Sequence, residues 1–311
     1  LQGTSGPIRI GIVGVGKIVR DQHLPALAKD VGFDLIAAAS RHGKVDGIPN
    51  FSTIEAMLDA VPELEAVSLC MPPQFRYDAA RTALEAGKHV FLEKPPGATV
   101  SEVEHLKALA AKNGVSLFAS WHSRYAPAVE AARAFLASAK LQSAAIIWKE
   151  DVRRWHPNQD WIWQPGGFGV FDPGINALSI ATHILPPMFI AEAVLDFPQN
   201  RDAPIAAQVA FRTSTGLPVT MDLDWLQTGP QSWDIVAETD RGQMVLSSGG
   251  AKLAIGGNAV QDEPEAEYPL LYRRFAEITH AGISDVDLAP LQHVADAFML
   301  GKRNVVEAFE D

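Results

Sequence analysis

The stretch Ile10-Gly11-Ile12-Val13-Gly14-Val15-Gly16-Lys17-Ile18 decides how the chain is read. The apolar run from Ile8 to Val13 has the length and branched side chains of a buried strand, and it closes on glycines. A helical stretch from Ile18 to Asp30 follows, with Pro25 marking a break or bend. Gly14 allows a tight turn between strand and helix. Gly16 lets the backbone approach a pyrophosphate, which the helix N-terminus attracts. The third glycine of the dinucleotide fingerprint is absent, since Val19 stands there. Alone the motif is weak; its place after a strand and before a helix gives it weight. The competing reading is a tight glycine turn with no ligand.

Outward from this turn, strand and helix signals alternate. Strands are expected at Asp34 to Ala39, Ala66 to Leu69, His89 to Leu92 and Ser116 to Ser120. Helices are expected at Thr53 to Ala60, Tyr77 to Ala86 and Val100 to Lys112, the last stopped by Asn113-Gly114. Strands separated by helices of this length imply right-handed crossovers and a parallel sheet. After Trp121 the pattern changes. An alanine-rich helix at Ala126 to Ala137 and a strand at Gln142 to Glu150 lead into an irregular loop, Asp151 to Gly169, rich in Trp, Gly and Pro. A short helix at Asn176 to Leu185 is followed by β signals to about Ile255. There Val219, Met221, Leu223 and Trp225 alternate with polar residues, the pattern of a sheet with one buried face. Tyr268 to Ala281 and Leu288 to Leu300 read as closing helices. The fold class that results is α/β: a Rossmann dinucleotide-binding domain over residues 1–123, then an α+β domain over 124–311 with a large, open, mainly antiparallel sheet. The closing helices are free to pack back on the first domain.

Composition narrows the class. The 311 residues are 47% hydrophobic and 20% charged, as in a globular protein with a sizeable core. A net charge of −11 argues against nucleic acid or an anionic membrane as partner, because phosphate binding needs a basic face. No apolar stretch is long enough to span a bilayer. Cys70, the single cysteine, can form no internal disulfide and no cysteine-based zinc site, which fits a reducing, cytoplasmic setting. The histidines are scattered, so no metal site is expected. The first six residues carry no apolar signal core and are left out of the fold reading.

The run His89-Val90-Phe91-Leu92-Glu93-Lys94-Pro95-Pro96 ends a strand in a charge pair, and the prolines stop it there. Lys94 thus falls at the carboxyl end of a strand, where open α/β sheets place ligands. Its ammonium can orient a hydroxyl or help move its proton; the other reading is a solvated lysine in a turn. The second strand ends in Ser40-Arg41-His42, where an NAD-specific site usually carries an acid. A guanidinium there can pair with a 2′-phosphate, so NADP use is expected alongside NAD, the alternative being an Arg41 that points to solvent. Cys70-Met71-Pro72-Pro73-Gln74 ends another strand of the same sheet, and Cys70 reads as a small buried residue rather than a nucleophile. Gly14, Val15, Gly16, Lys17, Ile18, Ser40, Arg41, Cys70, Pro72, Pro73, Tyr77, Glu93 and Lys94 make up the expected cofactor-contacting set.

Together these residues resemble the glucose-fructose oxidoreductase, inositol dehydrogenase and rhizopine-catabolism (Gfo/Idh/MocA) family over nearly the whole chain. The Glu93-Lys94-Pro95 motif is the specific part. Within the family the segments Arg20 to Pro25, Trp148 to Pro157 and Phe171 to Ser179 resemble bacterial aldose 1-dehydrogenases of D-galactose and L-arabinose. The resemblance implies a nicotinamide lying between a Rossmann domain and a sugar-binding domain, Lys94 facing the sugar, and a cis Lys94-Pro95 bond. It implies oxidation of an aldopyranose at C1 to the lactone. Much of the family carries a histidine base where Asn176 stands, four residues after Asp172, and an amide cannot act as a base at neutral pH.

Asp172 is the leading base for the O1 proton, with Lys94 sharing the proton or stabilising charge on O1. Asn176, one helical turn on, would hold O1. The alternative role for Asp172 is an N-cap. His122, Glu150, Arg154 and His156 are candidates to grip sugar hydroxyls. Trp155, Trp161 and Trp163 offer flat faces to a pyranose or else form a satellite core or subunit contact. His23 could face the pocket, and His183 reads as a core or capping residue. Val209, Phe211 and Val219 to Trp225 suggest apolar sheet surface that one helix layer leaves uncovered, hence a homo-dimer or homo-tetramer. Two rival functions remain at this level: a dehydrogenase of another polyol or a dihydrodiol, and a non-catalytic cofactor-binding sensor.

Overall fold

A computed structural model describes residues 6–29, 31–263 and 267–310. Asp30, the last residue of the first expected helix, and nearly all of the excluded N-terminal segment lie outside the described residues. The chain divides into two compact units. One holds the residues up to Trp121 together with Tyr268–Leu288; the other holds His122–Glu267 and the residues from Ala289 on.

The first unit is a sheet of six parallel strands: β1 (Ile8–Val13), β2 (Phe33–Ala39), β3 (Asn50–Phe51), β4 (Ala66–Leu69), β5 (His89–Glu93) and β6 (Leu117–Ser120). The order is β3-β2-β1-β4-β5-β6, so the direction of winding reverses between β1 and β4. That reversal is the switch point at which such sheets leave a crevice outside their carboxyl ends. Val13, Val67, Leu69, Val90 and Leu92 face helices Ile54–Ala60, Arg76–Glu85 and Val100–Asn113. The last of these starts in a capping box, Thr99 with Glu102, and ends at Gly114 in the left-handed conformation that favours glycine. The opposite sheet face is aromatic. Phe91 stacks on Tyr272, and Phe33 and Phe118 stack on Phe275, so helix Glu267–Ala281 returns to cover the sheet after the chain has built the second unit.

The first helix is not a plain α-helix. Val19–His23 forms a π-helical turn, and Leu24–Leu27 an α-turn with Pro25 near its start. Pro25 has no N–H to give to the preceding turn, and the Leu24 N–H reaches back five residues to the Val19 carbonyl.

The second unit is a nine-stranded sheet. It comprises β7 (Leu141–Lys149), β8 (Met188–Pro198), β9 (Ala206–Thr213), β10 (Pro218–Asp224), β11 (Ser232–Thr239), β12 (Met244–Ser247), β13 (Lys252–Ile255), β14 (Asn258–Asp262) and β15 (Lys302–Val306). The order is β14-β13-β12-β11-β7-β10-β9-β8-β15, antiparallel except where β7 meets β10 and β8 meets β15. Helices Val129–Ser138, Phe171–Ile184 and Ala289–Leu300 cover one face. Gly174 lets the middle helix lie close on β10, since a Cβ there would come within 2.6 Å of Leu223 Cδ1.

Several sequence expectations change. Val209, Phe211, Val219 and Trp225 lie beneath the helices at 3% exposure or less, so they supply no open apolar surface. The uncovered face carries their neighbours in register, among them Ile147, Val194, Ala210, Asp222 and Val236. Alternation separates two faces but does not say which one helices will cover. The helix expected from Asn176 begins at Phe171, because Pro173 falls in the first turn, where a missing N–H costs nothing. Within the loop from Asp151 to Gly169, Val152–Trp155 is a helical turn whose start is capped by Asp151, and Asp160–Trp163 is a 3₁₀ turn. The edge strand β15 was not anticipated, since Lys302-Arg303-Asn304 has no strand-like alternation.

Phe275 is fully buried between two rings of the first sheet. Phe275→Ala is expected to lower the stability of the unit by about 3–5 kcal/mol, read as a shift of the urea midpoint.

Candidate functional site

In a parallel sheet the carboxyl ends of all strands share one edge. The turn from Gly14 to Ile18 follows β1, Ser40 and Arg41 follow β2, Cys70 to Pro73 follow β4, and Lys94 follows Glu93 at the end of β5. The glycine turn has an inner and an outer side. Gly14 has φ +87°, and a Cβ on it would sit 2.7 Å from the Met71 backbone nitrogen; a Cβ on Gly16 would meet nothing within 4 Å. The turn is therefore sealed against the segment after β4 and open outward, the shape a pyrophosphate needs. Ser40 Oγ accepts the Gly43 N–H at 3.2 Å, and Arg41 is exposed. Lys17 is exposed and pairs with Asp21. The Tyr77 hydroxyl meets His105 Nδ1 at 2.9 Å.

Beneath this edge lies a buried polar cluster that sequence reasoning largely missed. Glu93 Oε2 accepts the Lys94 backbone N–H at 2.5 Å, and Glu93 Oε1 accepts the Tyr268 hydroxyl at 2.5 Å. His23 does not face outward but is fully buried, with Nε2 3.3 Å from Glu93 Oε1 and Nδ1 2.7 Å from the Tyr272 hydroxyl. Cys70 Sγ lies 3.5 Å from His23 Nε2. Arg76, 2% exposed, donates to the carbonyls of Met71, Glu93 and Pro95. One signal could have revealed it: a cation at the first position of a helix opposes the helix dipole and asks for another reason to be there. The Lys94-Pro95 peptide is cis.

In the second unit, Asp172 is the second residue of helix Phe171–Ile184, while Val170 holds the N-cap position. The capping role is thus not the one it fills. Asp172 is 3% exposed, and Asn176 lies one turn along, half-buried. The loop brings His156 to it. His156 Nδ1 lies 3.8 Å from Asp172 Oδ2, and Nε2 lies 3.1 Å from Glu150 Oε1. Glu150 Oε2 accepts the Trp233 indole N–H at 2.8 Å. His156 Nδ1 is buried and has no hydrogen-bond partner among the described residues, so a polar ligand atom would satisfy it.

The loop tryptophans divide. Trp155 packs on Trp233 with the Arg154 guanidinium over its ring, and Arg154 is exposed. Trp163 is buried against Trp225 and Phe309, a satellite core. His122 Nδ1 meets Glu267 Oε2 at 2.5 Å, and His183 pairs with Glu130 at 2.6 Å near the surface rather than joining the core. Among the described residues no cluster of three or more His, Cys, Asp or Glu side chains could hold a metal ion, and no helix is long and apolar enough to cross a membrane.

The profile of the Gfo/Idh/MocA family, an oxidoreductase family with an NAD-binding Rossmann fold, matches residues 8–120. A galactose 1-dehydrogenase from Pseudomonas fluorescens is 45% identical over 307 residues, which cover 98% of this chain and 99% of that protein. The crystal structure of a D-galactose-1-dehydrogenase from Rhizobium etli matches all of both chains at 71% identity with a TM-score of 0.96. A 3-ketoreductase from Actinomadura kijaniata, solved with NADP, matches 97% of this chain and 100% of its own with a TM-score of 0.82. At 19% identity that is a likeness of fold. The chain belongs to the Gfo/Idh/MocA oxidoreductase family.

Burial works against a charge on His23, but Cys70, Tyr272 and Glu93 around the ring outweigh it, and its pKa stands well above the ordinary 6.5. Burial holds the Tyr272 phenol above its usual range, so it stays neutral. A raised histidine value stabilises the fold fully below about pH 6.5, and the contribution is lost as pH climbs through the folded value. The stability gap between wild type and His23→Gln should therefore be largest near about pH 6 and narrow in alkali. A gap in urea unfolding that widens with rising pH would show a neutral ring in the fold.

Proposed function

We propose that the chain is an NAD(P)-dependent sugar dehydrogenase that oxidises a galactose-configured aldopyranose, D-galactose or L-arabinose, at C1 to the lactone. The observation that carries this reading is the full-length likeness to a galactose 1-dehydrogenase at 45% identity. The geometry of each unit agrees with it.

The open outer side of the glycine turn would take the pyrophosphate, with Val15, Lys17 and Ile18 flanking it. Exposed Arg41 would pair with a 2′-phosphate, and Ser40 shapes the turn beside it. Cys70, Pro72, Pro73, Tyr77 and Lys94 complete the cofactor-contacting set, and Glu93, buried beneath them, acts on it through the Lys94 N–H and not by direct contact. Held there, a nicotinamide cofactor would supply the hydride acceptor that oxidation at C1 needs.

Asp172 takes the O1 proton and Lys94 stabilises the negative charge that develops on O1, while Asn176 donates to the same oxygen and holds its geometry. As O1 loses its proton and C1 its hydride, the C1–O1 bond becomes the lactone carbonyl. Glu150 and His156 are already fixed to one another, leaving His156 Nδ1 for a sugar hydroxyl. His122, Arg154 and the face of Trp155 add further contacts. Galactose and arabinose present the same ring and differ at C5, and an open side of the pocket tolerates the extra hydroxymethyl group. The uncovered sheet face, with half-buried Ile147, Val194, Ala210 and Val236, supports association into a homo-dimer or homo-tetramer.

A panel of aldoses, polyols and dihydrodiols assayed with NADP and NAD tests the reading. D-galactose and L-arabinose should reduce cofactor fastest, and a chain that binds cofactor but reduces it with no sugar would be a sensor instead. Lys94→Ala and Asp172→Ala should each lower kcat by roughly a hundredfold or more. A near-wild-type rate for either variant removes that residue from proton handling. Arg41→Ala should raise the KM for NADP by about tenfold while leaving that for NAD within about twofold, as expected for loss of a charge-assisted phosphate contact.

A further inference from the structure

Lys94 is held by side chains far from it in the chain. Glu93 turns one carboxylate oxygen onto the Lys94 backbone N–H and the other onto the Tyr268 hydroxyl, each at 2.5 Å, with His23 Nε2 at 3.3 Å. Tyr268 and His23 also pack edge-to-face, ring centres 4.9 Å apart, and His23 is braced from its far side by Tyr272. Glu93, His23, Tyr268 and Tyr272 are all 4% exposed or less.

A carboxylate taken out of water is unfavourable unless its lone pairs are met, and an apolar side chain of the same size commonly packs as well or better. What a carboxylate supplies at position 93, and an apolar residue cannot, is an acceptor for the Lys94 N–H. Its angle is set by the donor from Tyr268 and by the imidazole of His23. Arg76 grips the carbonyls on either side, those of Glu93 and Pro95. The peptide from which the Lys94 side chain departs is thus fixed at its N–H by Glu93 and at its flanks by Arg76. We propose that Tyr268 and His23 are positioning residues for Lys94, acting through the Glu93 carboxylate that they orient, an assignment that rests on Lys94 handling the O1 proton. A group that handles a proton in the transition state loses rate steeply when it is misplaced by a fraction of an ångström, while ground-state binding changes little.

The test is a double-mutant cycle on the full chain with D-galactose and NADP. Tyr268→Phe keeps the ring and removes the donor. Its kcat should fall by about tenfold, with the KM for galactose and the NADP affinity, read by tryptophan fluorescence, within about twofold of wild type. In a Lys94→Ala background the same change should cost less than about twofold, because the group it positions is gone. A purely structural role would lower kcat by the same factor in both backgrounds, and that result overturns the proposal, as does a Tyr268→Phe enzyme with wild-type kcat. Lys94→Ala at the wild-type rate would overturn both this assignment and the reading of Lys94 on which it rests. A slow Lys94→Ala enzyme beside an unaffected Tyr268→Phe enzyme overturns the positioning alone. The cycle run with His23→Gln decides the matter in the same way where Tyr268→Phe fails to fold.

Discussion

The guanidinium of Arg76 is the tie on which the ligand edge of the first unit depends. It is buried, and it donates to carbonyls at the ends of two neighbouring strands: Met71 after β4, Glu93 at the end of β5, and Pro95 just beyond. A buried cation is tolerated only where its N–H groups are met, and a planar fork of donors suits several carbonyls at once. Met71 is also the residue whose backbone closes against Gly14. One side chain therefore couples the glycine turn, the segment after β4 and the Lys94 segment into a single rigid edge. The Glu93 carboxylate does the finer work from below, met by the Tyr268 hydroxyl from a helix that returns from far along the chain and by His23 from the first helix.

The second unit uses a different device. Its polar groups stand on an aromatic floor instead of a strand edge. Trp233 fixes Glu150 by its indole N–H, Glu150 fixes His156, and the Trp225 ring lies 5.3 Å from the imidazole. A half-buried imidazole held on one nitrogen, with no hydrogen-bond partner on the other among the described residues, stands beside a buried carboxylate on the first turn of a helix. The rings pack against these polar groups and limit the positions they can take.

Much of this was legible in the sequence, and the parts that were not share one cause. The Gly14 turn, the strand ends at Ser40, Cys70 and Lys94, and the Asp172–Asn176 spacing are local patterns, readable from residues a few positions apart. Asp172 stands out as a candidate from its spacing to Asn176, but Pro173 and Gly174 next to it disguise the helix start, because the same residue types serve loops and first turns. The Tyr268–Glu93 and His23–Tyr272 contacts join residues 175 and 249 positions apart, and no local pattern announces such pairs. His23 looked like a pocket residue because it follows the glycine turn; the π-helical turn beside Pro25 places it inside instead.

The sequence by itself determined the parallel and the mainly antiparallel sheet, the glycine turn and the placing of Lys94 at a strand end. Hydrophobic period and turn chemistry act over a few residues and leave their mark there. Only the tertiary structure decided which face of the large sheet the helices cover, that Arg76 and Glu93 are buried beneath the ligand edge, that His156 comes to rest beside Asp172, and that a late helix returns to the first sheet. Those outcomes are set by competition among many apolar faces for burial and by the need to satisfy each buried polar group. That competition is resolved only when the whole chain has folded.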